Sequence, residues 1–147
     1  MSTSSFLSAN GQSKATTLNA RASDDFAAKL AETQALLQRA AADFTPVTQA
    51  SSLGAEDVVI THIINSLKLD IPVFVLETGA LHTETLALLE RTEASSRATI
   101  NVYRPAHESV IQFVRNEGQD AMYKSIALRK ECCGIRKMEP LARALKG

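Results

Sequence analysis

The sequence predicts an α/β fold built on a parallel sheet. Three observations carry this. Ile71-Pro72-Val73-Phe74-Val75-Leu76 is an unbroken apolar run of strand length, which suits a strand buried on both faces of a parallel sheet. Strand-length runs at Val47–Ser51, Ile71–Leu76 and Thr99–Tyr103 are each followed by a stretch with helical apolar spacing. That alternation builds βαβ units with right-handed crossovers. The chain has 147 residues, enough for one domain with a real core.

Residues 1–22 are rich in Ser, Thr, Asn and Ala without a sustained apolar period. They read as a mobile tail, leaving residues 23–147 as the folded α/β domain. Ser23 is placed as an N-cap, with Asp24 and Asp25 in the first turn where the helix dipole favours them. Phe26, Leu30 and Leu37 carry that helix to about Ala42, with a modest apolar face that suits an outer helix. After the first strand, Val58, Val59, Ile60, Ile63, Ile64 and Leu67 mark a helix with one broad apolar face. His82 to Glu93 follows the second strand as a helix, and His107 to Glu117 follows the third, stopped by Gly118. From about Met122 a further helical segment is expected, and Pro140 suits the first turn of a last short helix, Leu141 to Leu145.

Composition narrows the function. Hydrophobic residues are 45% and charged residues 22%, with a formal net charge of zero, which argues against a protein built for nonspecific nucleic-acid or membrane binding. Two cysteines make no disulfide framework. No basic segment followed by an apolar run opens the chain, and no apolar stretch approaches the roughly 20 residues of a membrane span. A cytoplasmic protein is expected.

In open α/β sheets, ligands bind beyond the carboxyl ends of the strands. Two loops occupy that edge. Ser51-Ser52-Leu53-Gly54-Ala55-Glu56-Asp57 offers two hydroxyls, a glycine and the free N–H groups of a helix start, the makings of an anion cradle. The plainer reading is that the serines cap the helix and Gly54 only makes the turn. Glu56 and Asp57 are expected to face away from the loop, toward the helix dipole or toward basic residues further on. In the second loop, Glu77-Thr78-Gly79-Ala80, Gly79 permits close approach by a flat or anionic ligand, and Glu77 is able to accept from a ribose hydroxyl. His62 is expected at the core or its boundary, and His82 and His107 at helix starts. None of the three has metal-ligand spacing to another, which argues against a His-based zinc site.

Both cysteines, Cys132 and Cys133, sit side by side among Arg129, Lys130, Arg136 and Lys137. From Arg129 onward there are six basic residues and two acidic ones. A cationic setting favours the thiolate, which is both metal ligand and nucleophile. Two small buried side chains on a helix with a charged outer face is the alternative.

Together, Ser51 to Asp57, Leu76 to Gly79 and Arg129 to Leu145 resemble the assimilatory sulfonucleotide reductases, which act on adenylylsulfate (APS) or phosphoadenylylsulfate (PAPS). The resemblance runs from about Thr48 to the end. Its most specific piece is Cys132-Cys133-Gly134-Ile135-Arg136-Lys137-Met138-Glu139-Pro140-Leu141, with Phe113-Val114, Met122-Tyr123 and Leu128-Arg129 as lead-in. It implies an adenine-nucleotide α-hydrolase fold related to the PP-loop ATP pyrophosphatases. It implies that Ser51, Ser52, Gly54, Glu56 and Asp57 cradle the phosphosulfate and that Glu77, Thr78 and Gly79 receive the adenosine. The tandem cysteines imply the iron–sulfur branch, which mostly reduces APS, with Cys132 and Cys133 as two of four ligands to a [4Fe–4S] cluster; Gly54-Ala55-Glu56-Asp57 points to the same branch.

The implied reaction is attack by a catalytic cysteine on the sulfur of APS, departure of AMP, and release of sulfite from the S-sulfocysteine by thioredoxin or a similar dithiol. Lys137, four residues after Cys133 and one turn along a regular helix, is the first candidate for the cation that assists, with Arg136 second. A homo-oligomer is compatible with this family. The later Cys-x-x-Cys and the tail cysteine of the family do not occur in the sequence, and Ala80 stands where a larger or basic residue is common. These departures predict the front portion of a reductase, incomplete at the C-terminus and inactive alone. Two alternatives stand beside this reading. One is an ATP pyrophosphatase or sulfate-activating enzyme, whose Ser-Gly-Gly-x-Asp-Ser loop is broken here by Leu53, Glu56 and Asp57. The other is a noncatalytic nucleotide-binding or redox module.

Overall fold

β2 (Val73–Leu76) is the middle strand of a three-stranded parallel sheet, with β1 (Gln49–Ser51) on one side and β3 (Ile100–Tyr103) on the other. Ala50 lies opposite Phe74, and Phe74 opposite Asn101. The computed structural model describes residues 21–146, so the expected tail lies outside the described residues except for Arg21 and Ala22. The described chain divides into two compact units between Leu36 and Leu37. The first helix, α1 (Phe26–Asp43), crosses that division and contributes no buried residue.

The parallel α/β expectation holds. Val73, Phe74 and Val75 are all buried, the two-faced burial that an unbroken apolar run foretells. Each strand is shorter than its apolar run. Pro72 has no N–H to give the ladder, and its carbonyl instead accepts from the Gln49 N–H (2.9 Å) and the Thr48 hydroxyl (2.8 Å).

The helices that cross between strands are α2 (Ala55–Leu67) and α3 (Thr83–Ser95), and α4 (His107–Glu117) follows β3. α2 buries Thr61, Ile63 and Ile64. Ile64 has no exposed surface, a burial that contributes about 1.5–3 kcal/mol. One core cluster joins Leu53, Val75 and Leu89, with Leu88, Ile100 and Val102 packed on it. Asn65 braces the turn ahead of β3: its Oδ1 accepts from the N–H groups of Arg97 and Ala98, both at 2.9 Å, and from the Ser96 hydroxyl.

The start of α1 differs from expectation. The helix begins at Phe26, and Asp24 and Asp25 form a turn before it. The Ser23 hydroxyl donates to Asp25 Oδ1 at 2.5 Å rather than capping a backbone N–H, while the Ser23 carbonyl accepts from Phe26. Lys29 lies 2.7 Å from Asp25; that contact first, and the Ser23 hydroxyl second, hold the Asp25 carboxyl below the usual carboxylate range.

The C-terminal segment is one helical path with a widened middle. A 3-10 turn (Ala121–Tyr123) leads to Ser125, whose side chain caps α5 (Ile126–Cys133) by accepting from Leu128 N. A π-helical turn, Gly134–Met138, follows and passes directly into α6 (Glu139–Ala144). The expected last short helix is present with Pro140 in its first turn, at Glu139–Ala144 rather than Leu141 to Leu145, and the backbone is helical through the junction. A proline in a continuous α-helix crowds the carbonyl four residues back, here Arg136. The π turn, closed by Glu139 N–H to Gly134 O, widens the path at that place. Phe113, Ala121 and Cys132 form a second core cluster with Val114, Met122, Leu128 and Ile135 around them.

Candidate functional site

The loop after β1 is braced from behind. Gln49 Nε2 donates to the Asp57 carbonyl at 2.9 Å, and the Thr61 hydroxyl lies within hydrogen-bond distance of both Gln49 Oε1 and that carbonyl. Leu53 is held in the core cluster and takes φ = +64°, a left-handed conformation that costs a residue with a Cβ about 1–2 kcal/mol. Gly54 has φ = −66° and ψ = 164°, so the turn expected of the glycine is made by Leu53, whose side chain is anchored in the core. What Gly54 provides is room: a Cβ there would stand 3.2 Å from Ser52 Oγ and 3.3 Å from Glu56 Oε2.

Asp57 points into the loop. Its Oδ2 accepts from Ser52 N at 2.6 Å and from Ser52 Oγ at 2.7 Å. The expectation that it faces away is corrected. Ser52 N–H needs an acceptor, and a carboxylate at the start of α2 also meets the positive end of the helix dipole. Ser51 is buried and its Oγ accepts from Leu53 N. Glu56 is exposed.

The loop after β2 is drawn tight around Glu77. One carboxylate oxygen accepts from Gly79 N at 2.7 Å, and the other pairs with Arg104 Nε at 3.2 Å. Thr78 is buried, and its hydroxyl accepts from Ala80 N. Gly79 takes φ = +71°, which is why glycine is needed here.

The cysteine segment reaches the same edge of the sheet. Arg136 Nη1 donates to the Thr78 carbonyl at 2.7 Å and lies 3.1 Å from where a Cβ on Gly79 would be. Arg143 of α6 pairs with Glu139 (2.6 Å), donates to the Arg104 carbonyl, and stacks over Tyr103 at 6.0 Å. The Glu139 hydrogen bond raises the Arg143 guanidinium above its ordinary value.

Two neighbouring cavities result. One, about 320 Å³, is lined by the polar Ser51, Ser52 and Asp57 and by the apolar Phe74, Leu76, Leu81 and Leu141. The second, about 410 Å³, is lined by Met122, Arg129, Cys132, Cys133 and Arg136. Thr78, Leu81 and Lys137 line both. The Ser51–Asp57 loop, the Thr78 turn and the cysteine pair, far apart in sequence, are therefore brought together. Lys137 is exposed and in no ion pair among the described residues.

Cys132 is buried against Phe113 and Ala121, whereas Cys133 is exposed. Among the described residues, no three His, Cys, Asp or Glu side chains are gathered as a metal site. The pair matches the donor chemistry of an iron–sulfur cluster but supplies two thiolates where such a cluster takes four ligands.

His62, expected at the core or its boundary, is exposed, with Thr61 and Ile63 beside it turned inward. His82 and His107 open α3 and α4 as expected, and both are exposed. The residues that sequence reasoning passed over are Gln49, Phe74, Leu81, Arg104 and Leu141. Only Arg104, directly after the end of β3, carries a positional signal.

The phosphoadenosine phosphosulfate reductase domain matches residues 46–147. The chain belongs to that family. Within it, the chain is 42% identical over 121 residues to the adenosine 5'-phosphosulfate reductase of Burkholderia cepacia, covering 82% of this chain and 48% of that protein. To the enzyme of the same name from Neisseria meningitidis serogroup B it is 50% identical over 99 residues, covering 67% of this chain and 40% of that protein. The chain thus spans about half the length of the curated relatives it matches. The phosphoadenylyl-sulfate reductase of Candida auris, solved as a phosphate complex, superposes with a TM-score of 0.66 at 23% identity, covering 86% of this chain and 64% of that one. That likeness shows the shared α/β fold.

Proposed function

We propose that this chain forms the nucleotide-binding part of a reductase that converts APS to sulfite and AMP in sulfate assimilation. The observation that carries this is the pair of cavities joined at Lys137, one edged by the Ser51–Asp57 loop and the other by the tandem cysteines. The apolar wall of Phe74, Leu76, Leu81 and Leu141 suits an adenine ring. Thr78 lines both cavities where the nucleotide would lie, Gly79 makes the turn beside it, and Glu77, already held by Gly79 and Arg104, fixes the loop's shape. Ser51, Ser52 and Gly54 edge the phosphosulfate position, and Asp57 yields its hold on Ser52 to the incoming anion.

A thiolate then attacks the sulfate sulfur. The bond from sulfur to the bridging oxygen breaks, AMP leaves with the electron pair, and an S-sulfocysteine forms. A dithiol such as thioredoxin displaces sulfite and becomes the disulfide, which supplies the two electrons. Lys137, between the cavities, faces the charge that develops on the transferring group. With Cys132 and Cys133 placed as ligands, the attacking thiol comes from outside this sequence. A [4Fe–4S] cluster held in part by Cys132 and Cys133 would supply a fixed charge centre next to the pocket. The setting is cytoplasmic; among the described residues, no helix is long and apolar enough to cross a membrane.

The test is competition between APS and PAPS for the anaerobically purified full-length reductase, with iron determined alongside. Preference for APS and about four iron atoms per chain are expected. Equal use of PAPS, or full turnover without iron, refutes the assignment.

A further inference from the structure

The Arg136–Thr78 contact ties the cysteine segment to the nucleotide loop across 58 positions of sequence. Arg136 sits on the π turn, three residues after Cys133 and four before Pro140. The place of the π turn on the path from Cys133 into α6 sets how the guanidinium is aimed. At the other end of the contact, the Thr78 carbonyl belongs to a turn with little slack. Thr78 is buried, Gly79 is at φ = +71°, and the Gly79 N–H is already given to Glu77. The half-buried Arg136 closes over Gly79 so tightly that a single added carbon would stand 3.1 Å from Nη1.

We propose that Arg136 is a positioning residue that couples the state of the Cys132–Cys133 pair to the shape of the Thr78–Gly79 loop. This rests on the reading above that the loop receives the nucleotide. A group attached to the exposed Cys133 displaces the π turn, the guanidinium moves with it, and the Thr78 carbonyl loses its charged donor. The loop then relaxes and holds nucleotide less well. Because coupling between two sites is reciprocal, bound nucleotide steadies the cysteine segment through the same contact. Lys137, the next residue, lines both cavities but makes no hydrogen bond to the loop among the described residues, so the two neighbouring cations divide the work.

The experiment uses the 147-residue chain, which supplies two of the four ligands a cluster takes and so leaves Cys133 free to react, in its reduced state with AMP as the probe. AMP affinity is measured calorimetrically before and after alkylation of Cys133 by iodoacetamide, with the modified thiol located by mass spectrometry. In the wild-type chain, alkylation should weaken AMP binding about tenfold, within the usual range of coupling between sites. In Arg136→Ala, the unmodified chain should bind AMP about tenfold more weakly, and the further effect of alkylation should fall below twofold. Arg136→Lys, which keeps a cation but not the planar fork, should fall between. If Arg136→Ala binds AMP as the wild type does, or responds to alkylation as the wild type does, the coupling is overturned. Should Arg136→Ala fail to fold by circular dichroism, Arg136→Lys decides, and a full tenfold response there overturns the proposal. If the wild-type chain binds no AMP, the nucleotide-loop reading falls and this one with it. If AMP binds and alkylation changes nothing, only the coupling falls.

Discussion

Replacing Lys137 by alanine removes the one cation that lines both cavities. Its worth follows from where it sits. A unit charge about 4 Å from a developing negative charge contributes about 1 kcal/mol in water and about 4 kcal/mol at the effective dielectric of a protein surface. The cavities are partly open to solvent, so the loss falls between these limits. At 1.36 kcal/mol per decade, kcat/KM for APS should drop between about fivefold and a thousandfold. Folding should hardly change, because the side chain is exposed and in no ion pair among the described residues; such surface substitutions stay within about 0.5 kcal/mol. The assay is sulfite release from APS by the full-length reductase with a dithiol donor, with AMP affinity measured in parallel. AMP has no sulfonate, so its affinity should fall much less than kcat/KM. A kcat/KM within about threefold of wild type, or an equal loss in AMP affinity, would show that Lys137 does not face the transferring group.

Gly79→Ala forces a Cβ into the left-handed region and against Arg136, so a loss of about 1–2 kcal/mol and a melting midpoint lower by several degrees are expected; an unchanged midpoint in a thermal scan would contradict the geometry. Asp57→Asn keeps an acceptor for the Ser52 hydroxyl but removes the negative charge from the anion loop. Inorganic phosphate should then bind about three- to tenfold more tightly in a titration, and weaker binding would mean that the carboxylate itself serves the ligand.

Much of the fold was legible because one run decided it. Ile71 to Leu76 has no polar face, and its middle residues are indeed covered on both sides. Burial of each residue on the amphipathic helices was less legible. His62 sits inside an apolar pattern yet points out, since a helix with seven apolar residues in 13 still shows one face to solvent. Within the candidate site, the Ser51–Asp57 and Glu77–Gly79 loops were chosen from residue type and resemblance. Their internal bonding was not. Nothing in the spacing of Ser52 and Asp57 shows that the carboxylate turns inward, because that depends on which N–H groups lack other partners. Gln49 and Arg104 were missed for the same reason: each acts through contacts set by tertiary placement.

The cysteine segment shows why counting along a helix misleads at such places. On a regular helix Lys137 would stand one turn above Cys133, and that spacing was the ground for choosing it. The structure puts a π turn in that interval, so the spacing argument fails although the residue still reaches the cavities. The cause is Pro140. It sits within one turn of Arg136, where a regular helix would bring its ring against that residue's carbonyl. The wider turn relieves the crowding and also changes where residues 134 to 138 point. Arg136 meets the Thr78 carbonyl and Lys137 lines the space between thiols and loop. The Glu139-Pro140-Leu141 that follows the cysteines is thus part of the site's geometry: Pro140 adjoins the turn, Glu139 holds Arg143, and Leu141 completes the apolar wall. A motif read as a string of separate signals works as one bent segment of backbone.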